Sequence, residues 1–365
     1  MRALYVANKR LPGNDYRIVY PAYSAFCSVC YVLPERPPGV RKVDFVEIGF
    51  GEGIHLADFF HLLELWVYLR NHRKEYDFVH FYATTLILFG PSIAAFTGLP
   101  CLITLTGFGR TFNSQVLKYR LLRPVYNLFL RIASRISHAV LFQNHADLAL
   151  MEKRIPSASG KFFYVGSAID ACVTAQKDFA SRNLRVLLIA RLLPEKGIED
   201  FLRVAKLLHQ DGFEFVLVGP SSVGFEALLS RVRASHSDGT IEYLGELDAE
   251  GVQVQYHRAH VLFFPSFYGE GMSRVMLEAG FASLCPVAYD IPSNRDLIAP
   301  NRGCLIPKRD IDEVVRILKL LKNDRSQLEQ NADAYQKFVV ENFNIQTYTK
   351  RLDDILAKLF SPLLS

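Results

Sequence analysis

Short continuous apolar runs alternate along the chain with longer stretches whose apolar residues recur every three or four positions. A run with no polar face reads as a strand covered on both sides, and a three-to-four repeat reads as an amphipathic helix. In the first half, strands are predicted at Ala3–Ala7, Val29–Leu33, Asp44–Ile48, Phe78–Phe81, Cys101–Leu105, Ala139–Gln143 and Phe162–Val165. Helices fall between several of them, notably at Asp58–Arg73 and Arg120–Ile136. In the second half, strands are predicted at Arg185–Ala190, Glu214–Val218, Ile241–Leu244, Val261–Pro265, Pro286–Ala288 and Gly303–Ile306. Helices there fit Gly197–Gln210, Gly224–Ala234, Ser273–Ala282 and Ile311–Lys322. Such alternation gives parallel sheets with right-handed crossovers, a doubly wound α/β fold. The polar stretch Ser167–Asn183 separates two patterns of this kind. The expected architecture is two Rossmann-like domains around a cleft, residues 1–166 and 183–344, with a C-terminal helical segment, 345–365, packing back across the linker.

One segment has a different superficial reading. Phe81–Gly109 contains no charged residue and is long enough to span a bilayer. "GP" at 90–91 and "GLP" at 98–100 divide it into pieces of strand and helix size, so a buried strand–helix–strand unit is expected instead.

The 365 residues are 50% hydrophobic and 22% charged, a globular composition sufficient for two cores. The N-terminal "MRALYVANKR" resembles a first strand, not a targeting peptide. Of six cysteines, only Cys27 and Cys30 are closely spaced, and no second pair or histidine accompanies them. They read as reduced core residues of a cytoplasmic protein. Net charge is +5, unevenly spread: residues 1–166 carry 19 Lys and Arg against 11 Asp and Glu, net +8, and the remainder carries −3. Much of the excess lies in Lys118–Arg135, where bases alternate with Leu, Tyr and Phe. That pattern suits an anionic membrane surface or a phosphate-bearing lipid, or else an ordinary amphipathic surface helix. No nucleic-acid recognition motif accompanies the charge.

In open α/β sheets, ligands sit at the C-terminal ends of strands, near helix N-termini. After the strand ending at Ala190 comes "ARLLPEKGI", which places Arg191 and Lys196 before a helix. Two cations and a helix N-terminus suit a diphosphate. Gly219, in "GPSS", and Leu244, in "YLGEL", end the next two strands, where main-chain groups would meet a nucleobase. "FYGEGMSRVMLEA" then carries Glu270 in a loop and Glu278 on the following helix, a little over two turns further on. Carboxylates so placed need partners, and a sugar-nucleotide supplies them through its hydroxyls. The amides of Gly271, Met272 and Ser273 would hold phosphate oxygens. "RDID", Arg309–Asp312, has an Asp-x-Asp spacing but reads as a helix N-cap, so no metal is assigned.

"ARLLPEKGI" together with "PSFYGEGMSRVMLEAGFASLCPVAYDIPSNRDLI" resembles glycosyltransferase family 4, of GT-B fold, and within it the bacterial polysaccharide and lipid-linked glycan assembly branch. The family's Arg-x4-Lys pair falls on Arg191 and Lys196, and its Glu-x7-Glu motif on Glu270 and Glu278. Asn8 and Arg17 stand where branch members have an Asn and an Arg. "TLTGFGRTF", "LFQNHAD" and "VGSAID" are similar to further segments of that branch.

The resemblance implies a retaining transfer of a sugar from a nucleotide donor, usually uridine diphosphate-linked, with no metal and no cofactor. Arg191 and Lys196 would neutralise the leaving diphosphate, Glu278 would hold the ribose, and Glu270 would orient the donor sugar. The acceptor in this branch is often a polyprenyl-diphosphate-linked sugar, which puts the protein peripherally on the inner face of a membrane. On the acceptor side, Gly107, Phe108, Gly109 and Arg110 are expected near the cleft, and His80 stands close to where relatives carry a donor-contacting histidine. Departures include "NKRLPGN" in place of a Gly-Gly loop, and Thr85-Leu86 in place of a Lys-Pro pair. They leave open a non-catalytic subunit that binds sugar-nucleotide, or a nucleotide-sugar epimerase.

Overall fold

A computed structural model of the chain describes residues 1–7, 22–23, 27–33, 44–48, 56–82, 84–108, 117–169, 177–267 and 269–364. The chain forms two compact units. One comprises Met1–Asp170, Gly269–Met272 and Phe343–Ser365, and the other Ala171–Tyr268 and Ser273–Asn342.

The first unit is built on strands β1 (Arg2–Ala7), β2 (Ser28–Leu33), β3 (Asp44–Glu47), β4 (Phe78–Tyr82), β5 (Cys101–Leu105), β6 (Ala139–Phe142) and β7 (Phe162–Tyr164). They form one sheet in the order β3-β2-β1-β4-β5-β6-β7, and each pairing is parallel. Helices α1 (Leu56–His72), α2 (Thr84–Thr97), α3 (Leu117–Ile136) and α4 (His145–Arg154) lie between them in sequence. Alternate residues of each strand face opposite ways. Leu4, Val6, Val79, Phe81 and Ile103 join Leu65 and Leu69 of α1, Leu86 of α2 and Leu130 of α3 in one apolar cluster. Tyr5, Phe78, Leu102 and Leu141 face the other way, into a second cluster.

The second unit repeats the scheme with β8 (Leu184–Ile189), β9 (Phe213–Val218), β10 (Glu242–Tyr243), β11 (Val261–Phe264), β12 (Cys285–Tyr289) and β13 (Cys304–Ile306). Their order is β10-β9-β8-β11-β12-β13, again all parallel. The helices are α5 (Ile198–Leu208), α6 (Glu226–Ser237), α7 (Ala249–Arg258), α8 (Arg274–Phe281), the single turn α9 (Pro292–Arg295), α10 (Ile311–Asn323) and α11 (Arg325–Asn342). Phe201 and Val204 of α5, Val232 of α6, Leu318 of α10 and Leu328 of α11 cover one face of this sheet.

The last helix, α12 (Ile345–Leu364), belongs to the first unit. Its Tyr348, Leu352, Ile355, Leu356 and Phe360 fill the second cluster, with Phe360 stacked on Phe78 at 5.2 Å between ring centroids.

The strand–helix–strand reading of Phe81–Gly109 holds, but the expected break at Gly90-Pro91 does not occur. Helix α2 runs through both residues. Gly90 is required there by packing: a Cβ would stand 2.8 Å from the Phe81 ring. Among the described residues, no helix is long and apolar enough to cross a membrane. Cys27 and Cys30 are buried, and neither is in a disulfide. Asp310 caps α10, its carboxylate accepting from the Glu313 amide at 3.1 Å.

Candidate functional site

In a sheet of this order, the ligand crevice opens where the winding reverses, outside the C-terminal ends of the two strands concerned. In the second unit those strands are β8 and β11. Arg191 follows β8 by two residues and is exposed. Lys196 ends a 3-10 turn, Pro194–Lys196, that leads through Gly197 into α5.

Gly197 is left-handed (φ 72°), and a Cβ there would lie 2.2 Å from the Pro265 carbonyl oxygen. The lysine turn is therefore seated on the tip of β11. The Phe267 amide donates to the Glu195 carbonyl at 3.0 Å and fixes the same register. Gly219 (φ 145°) ends β9, and a Cβ there would stand 2.0 Å from the Ala190 carbonyl oxygen. Its own amide donates to Gly245 at 2.7 Å, and its carbonyl accepts from the Tyr243 hydroxyl at 3.0 Å. The Leu244 amide is used by Leu217 at 3.0 Å. The tips of β8, β9, β10 and β11 thus gather Arg191, Lys196, Gly219 and Leu244 in one region of the second unit. Arg309 adds a guanidinium 4.9 Å from the centre of the Phe267 ring.

Glu278 lies on α8, buried, and its partners come from the chain itself. The Tyr256 hydroxyl donates to Oε2 at 2.9 Å, and Arg274, one turn earlier, donates to Oε1. The expectation that a ligand must supply the partner is corrected here. Tyr256 and Arg274 satisfy the carboxylate, and each oxygen keeps a lone pair for a hydroxyl. The Arg274–Glu278 spacing of four was a legible signal; nothing in the sequence pointed to Tyr256. Ser273 precedes α8, and its side chain is buried but does not cap the helix.

The loop Gly269–Met272 belongs to the first unit, where the strand ends of β5 and β6 hold it. The Gly271 amide donates to Thr106 at 2.8 Å, so that amide is spent and not free for a phosphate, which corrects the expected role of Gly271. Its carbonyl accepts from Asn144 Nδ2 at 2.6 Å. Asn144 is fully buried and also caps α4, its Oδ1 accepting from the Asp147 amide at 2.7 Å. Gly107 (φ 97°) lies so close that a Cβ would meet the Gly271 nitrogen at 2.4 Å. Gly107, Glu270, Gly271 and Met272 are therefore brought together. Phe108 is buried beside them in sequence, with the Arg154 guanidinium 5.9 Å from its ring centre. Gln143 and Asn144, which the sequence alone does not place in the site, lie in the segment "LFQNHAD" and border Gly271.

His80 is a correction. It is fully buried, with Nδ1 paired to the Tyr23 hydroxyl at 2.6 Å and Nε2 to the Thr104 hydroxyl at 2.7 Å. Burial alone pushes its pKa down to about 3. It is a neutral core residue, because the face of β4 that carries it is covered. Asn8, Arg17, Gly109 and Arg110 lie outside the described residues. A cavity of about 240 Å³, lined by Arg185, Phe213 and Glu242 among others, sits at the opposite ends of the second unit's strands and shares none of these groups.

Comparisons with known proteins show what the chain is similar to, and they point to glycosyltransferases of the GT-B type. The model of the family described as glycosyl transferases group 1 matches residues 174–338. Among individual proteins, the chain is 27% identical over 360 residues to the N,N'-diacetylbacillosaminyl-diphospho-undecaprenol alpha-1,3-N-acetylgalactosaminyltransferase of Campylobacter jejuni, covering 89% of each chain. It is 25% identical over 195 residues to the amylovoran biosynthesis glycosyltransferase AmsK of Erwinia amylovora, covering 50% of this chain and 47% of the relative. The structure of Anabaena HepE in complex with UDP superimposes with a TM-score of 0.79 at 15% identity, over 98% of this chain and all of that one. Sucrose-phosphate synthase from Thermosynechococcus elongatus gives a TM-score of 0.80 at 15% identity, over 99% of each. The fold is GT-B, with two Rossmann-like units.

Proposed function

We propose that the chain is a retaining, metal-independent hexosyltransferase of glycosyltransferase family 4, in the bacterial surface-polysaccharide branch. It moves a sugar from a uridine diphosphate-linked donor to a lipid-linked glycan acceptor, working peripherally at the inner face of a membrane. The observation that carries this reading is the seating of Arg191 and the Lys196 turn on the strand tips at the reversal point of the second sheet. The Campylobacter relative, named for transfer onto a diphospho-undecaprenol-linked sugar, supports the lipid-linked acceptor. The UDP complex of HepE supports the nucleotide.

Breaking the bond between the anomeric carbon and the diphosphate oxygen leaves negative charge on the departing diphosphate. Arg191 and Lys196 are the fixed cations that offset it, and they take the role a metal would otherwise fill. Glu278, oriented by Tyr256 and Arg274, accepts from the ribose hydroxyls. Glu270 accepts from hydroxyls of the donor sugar, and the Met272 and Ser273 amides contribute to its phosphate.

A thermal-shift screen of uridine, guanosine and adenosine diphosphate sugars identifies the donor class, since a bound nucleotide stabilises in proportion to its affinity. Lys196→Ala and Glu270→Ala are each expected to lower transfer about 100-fold or more while the unfolding temperature is kept. Full activity in both would reject the assignment. Tight donor binding with neither hydrolysis nor transfer would favour a non-catalytic binding subunit.

A further inference from the structure

The outer helical layer of the first unit leaves a wide apolar face uncovered. Helix α3 turns Tyr126, Leu130 and Ala133 inward. On its outer side Leu121, Val125, Leu128 and Ile132, spaced by four, three and four, form a single exposed stripe, with Leu121 69% exposed. Helix α1 has the same design: Leu62, Leu65 and Leu69 are buried, while Phe59, Phe60, Leu63 and Val67 are exposed. Phe96, near the end of α2, is 84% exposed.

Half-buried aromatic rings link the three helices beneath these stripes. The Phe59 ring of α1 meets Phe89 of α2 at 5.9 Å, and Phe89 meets Phe129 of α3 at 5.0 Å. A row of aromatic rings therefore runs across all three helices. Single exposed apolar residues are ordinary on a protein surface, whereas a contiguous face over three adjacent helices marks a partner.

The charge pattern selects that partner. Between Asp77 and Asp147 the chain contains no acidic residue, while α3 alone carries Lys118, Arg120, Arg123, Arg131 and Arg135. Arg120 and Arg131 are exposed, and each adjoins a stripe residue. On the outer side of α1 the described acidic side chain is Glu64, set 3.5 Å from His61. A twofold contact between copies would set this arginine-rich patch against itself, and interface cores are depleted of charge. Lipid phosphates, by contrast, satisfy arginines while acyl chains take up the stripe.

We propose that the outer face of α1, α2 and α3 docks on the surface of an anionic phospholipid bilayer. The Leu and Phe side chains enter the headgroup boundary, and the arginines of α3 pair with phosphates. The docking rests on the glycosyl-transfer reading only for its purpose, which is access to a lipid-linked acceptor.

Flotation of the purified full-length chain with vesicles tests this. Binding is expected to phosphatidylcholine vesicles containing phosphatidylglycerol, and little to phosphatidylcholine alone. Arg120→Gln with Arg131→Gln should weaken it roughly thirtyfold. Leu121→Ser with Val125→Ser and Leu128→Ser should abolish it. Circular dichroism and the nucleotide-induced thermal shift should be unchanged in both variants. No binding by the wild type, equal binding to both vesicles, or wild-type binding by either variant overturns the proposal. So does a wild-type dimer on gel filtration that ignores vesicles and becomes monomeric in the serine variant. Transfer to a water-soluble acceptor is read separately. Docking without transfer upholds the face and rejects the enzyme reading, and transfer without docking does the reverse.

Discussion

His80 and Glu278 are both buried titratable side chains, and the chain accommodates them in opposite ways. Glu278 meets a cation, Arg274, and a hydroxyl donor, Tyr256. The ring nitrogens of His80 meet hydroxyls, and among the described residues no acidic side chain is paired with it to offset a positive charge. Burial accordingly holds its pKa at about 3, against 6.5 when solvated. The unfolded chain binds the extra proton first as pH falls. His80's contribution is therefore complete above about pH 6.5 and is lost progressively towards pH 3, at up to about 1.4 kcal/mol per pH unit. His80→Gln keeps a donor and an acceptor but cannot be protonated. Its expected cost is about 1–3 kcal/mol at pH 7.5, with a shallower decline of the urea midpoint between pH 6 and pH 4. Parallel declines in wild type and variant would place the acid sensitivity elsewhere.

At the scale of elements, the position of Lys196 depends on one glycine. Gly197→Ala would force a left-handed alanine and drive its Cβ into the Pro265 carbonyl. A loss of about 2 kcal/mol or more is expected, together with a reduced thermal shift by the nucleotide. Gly160→Ala, with open space around it, is the control and should leave both unchanged. An unaltered nucleotide shift in Gly197→Ala would mean the turn's seat does not govern binding.

Most strands were legible because they are short, dominantly apolar runs within a doubly wound sheet, as in FVHFY, CLITL, AVLF and VLFF. Cys101–Leu105 was placed to the residue. The sequence pattern does not predict helices α4, α7, α11 or the single turn α9. In α11 the buried positions Leu328, Ala332, Tyr335 and Val339 do keep helical spacing, but Ala332 dilutes the pattern and the buried Asn331 interrupts it. The charged residues at the strand tips were found because winding order dictates where ligands approach. His80 was misplaced for a long-range reason. The face of β4 that carries it is the face that packs with α12, more than two hundred residues further along the chain. No local pattern around "VHFYATT" records that cover.

That long-range cover also governs the molecule as a whole. The first unit is assembled from both ends of the sequence: its sheet comes from the first 170 residues, but one face is closed by Phe343–Ser365. Tyr348, Leu352, Ile355, Leu356 and Phe360 are nearly fully buried against Ala3, Tyr5, Phe78 and Leu102. Burial of one such side chain stabilises by about 1.5–3 kcal/mol. Five together rival the roughly 5–15 kcal/mol that separates a folded domain from its unfolded chain, even allowing that such sums are upper estimates. Residues 1–170 alone should therefore fail to show cooperative unfolding and should expose apolar surface to a fluorescent hydrophobic dye. The same fragment with 343–365 appended through a flexible linker should recover a single sharp thermal transition. If the shorter fragment unfolds as sharply, and at the same temperature, α12 is an appendage on a sheet that is already stable. The covered face of β4 would then owe its burial to α12 but not its folding.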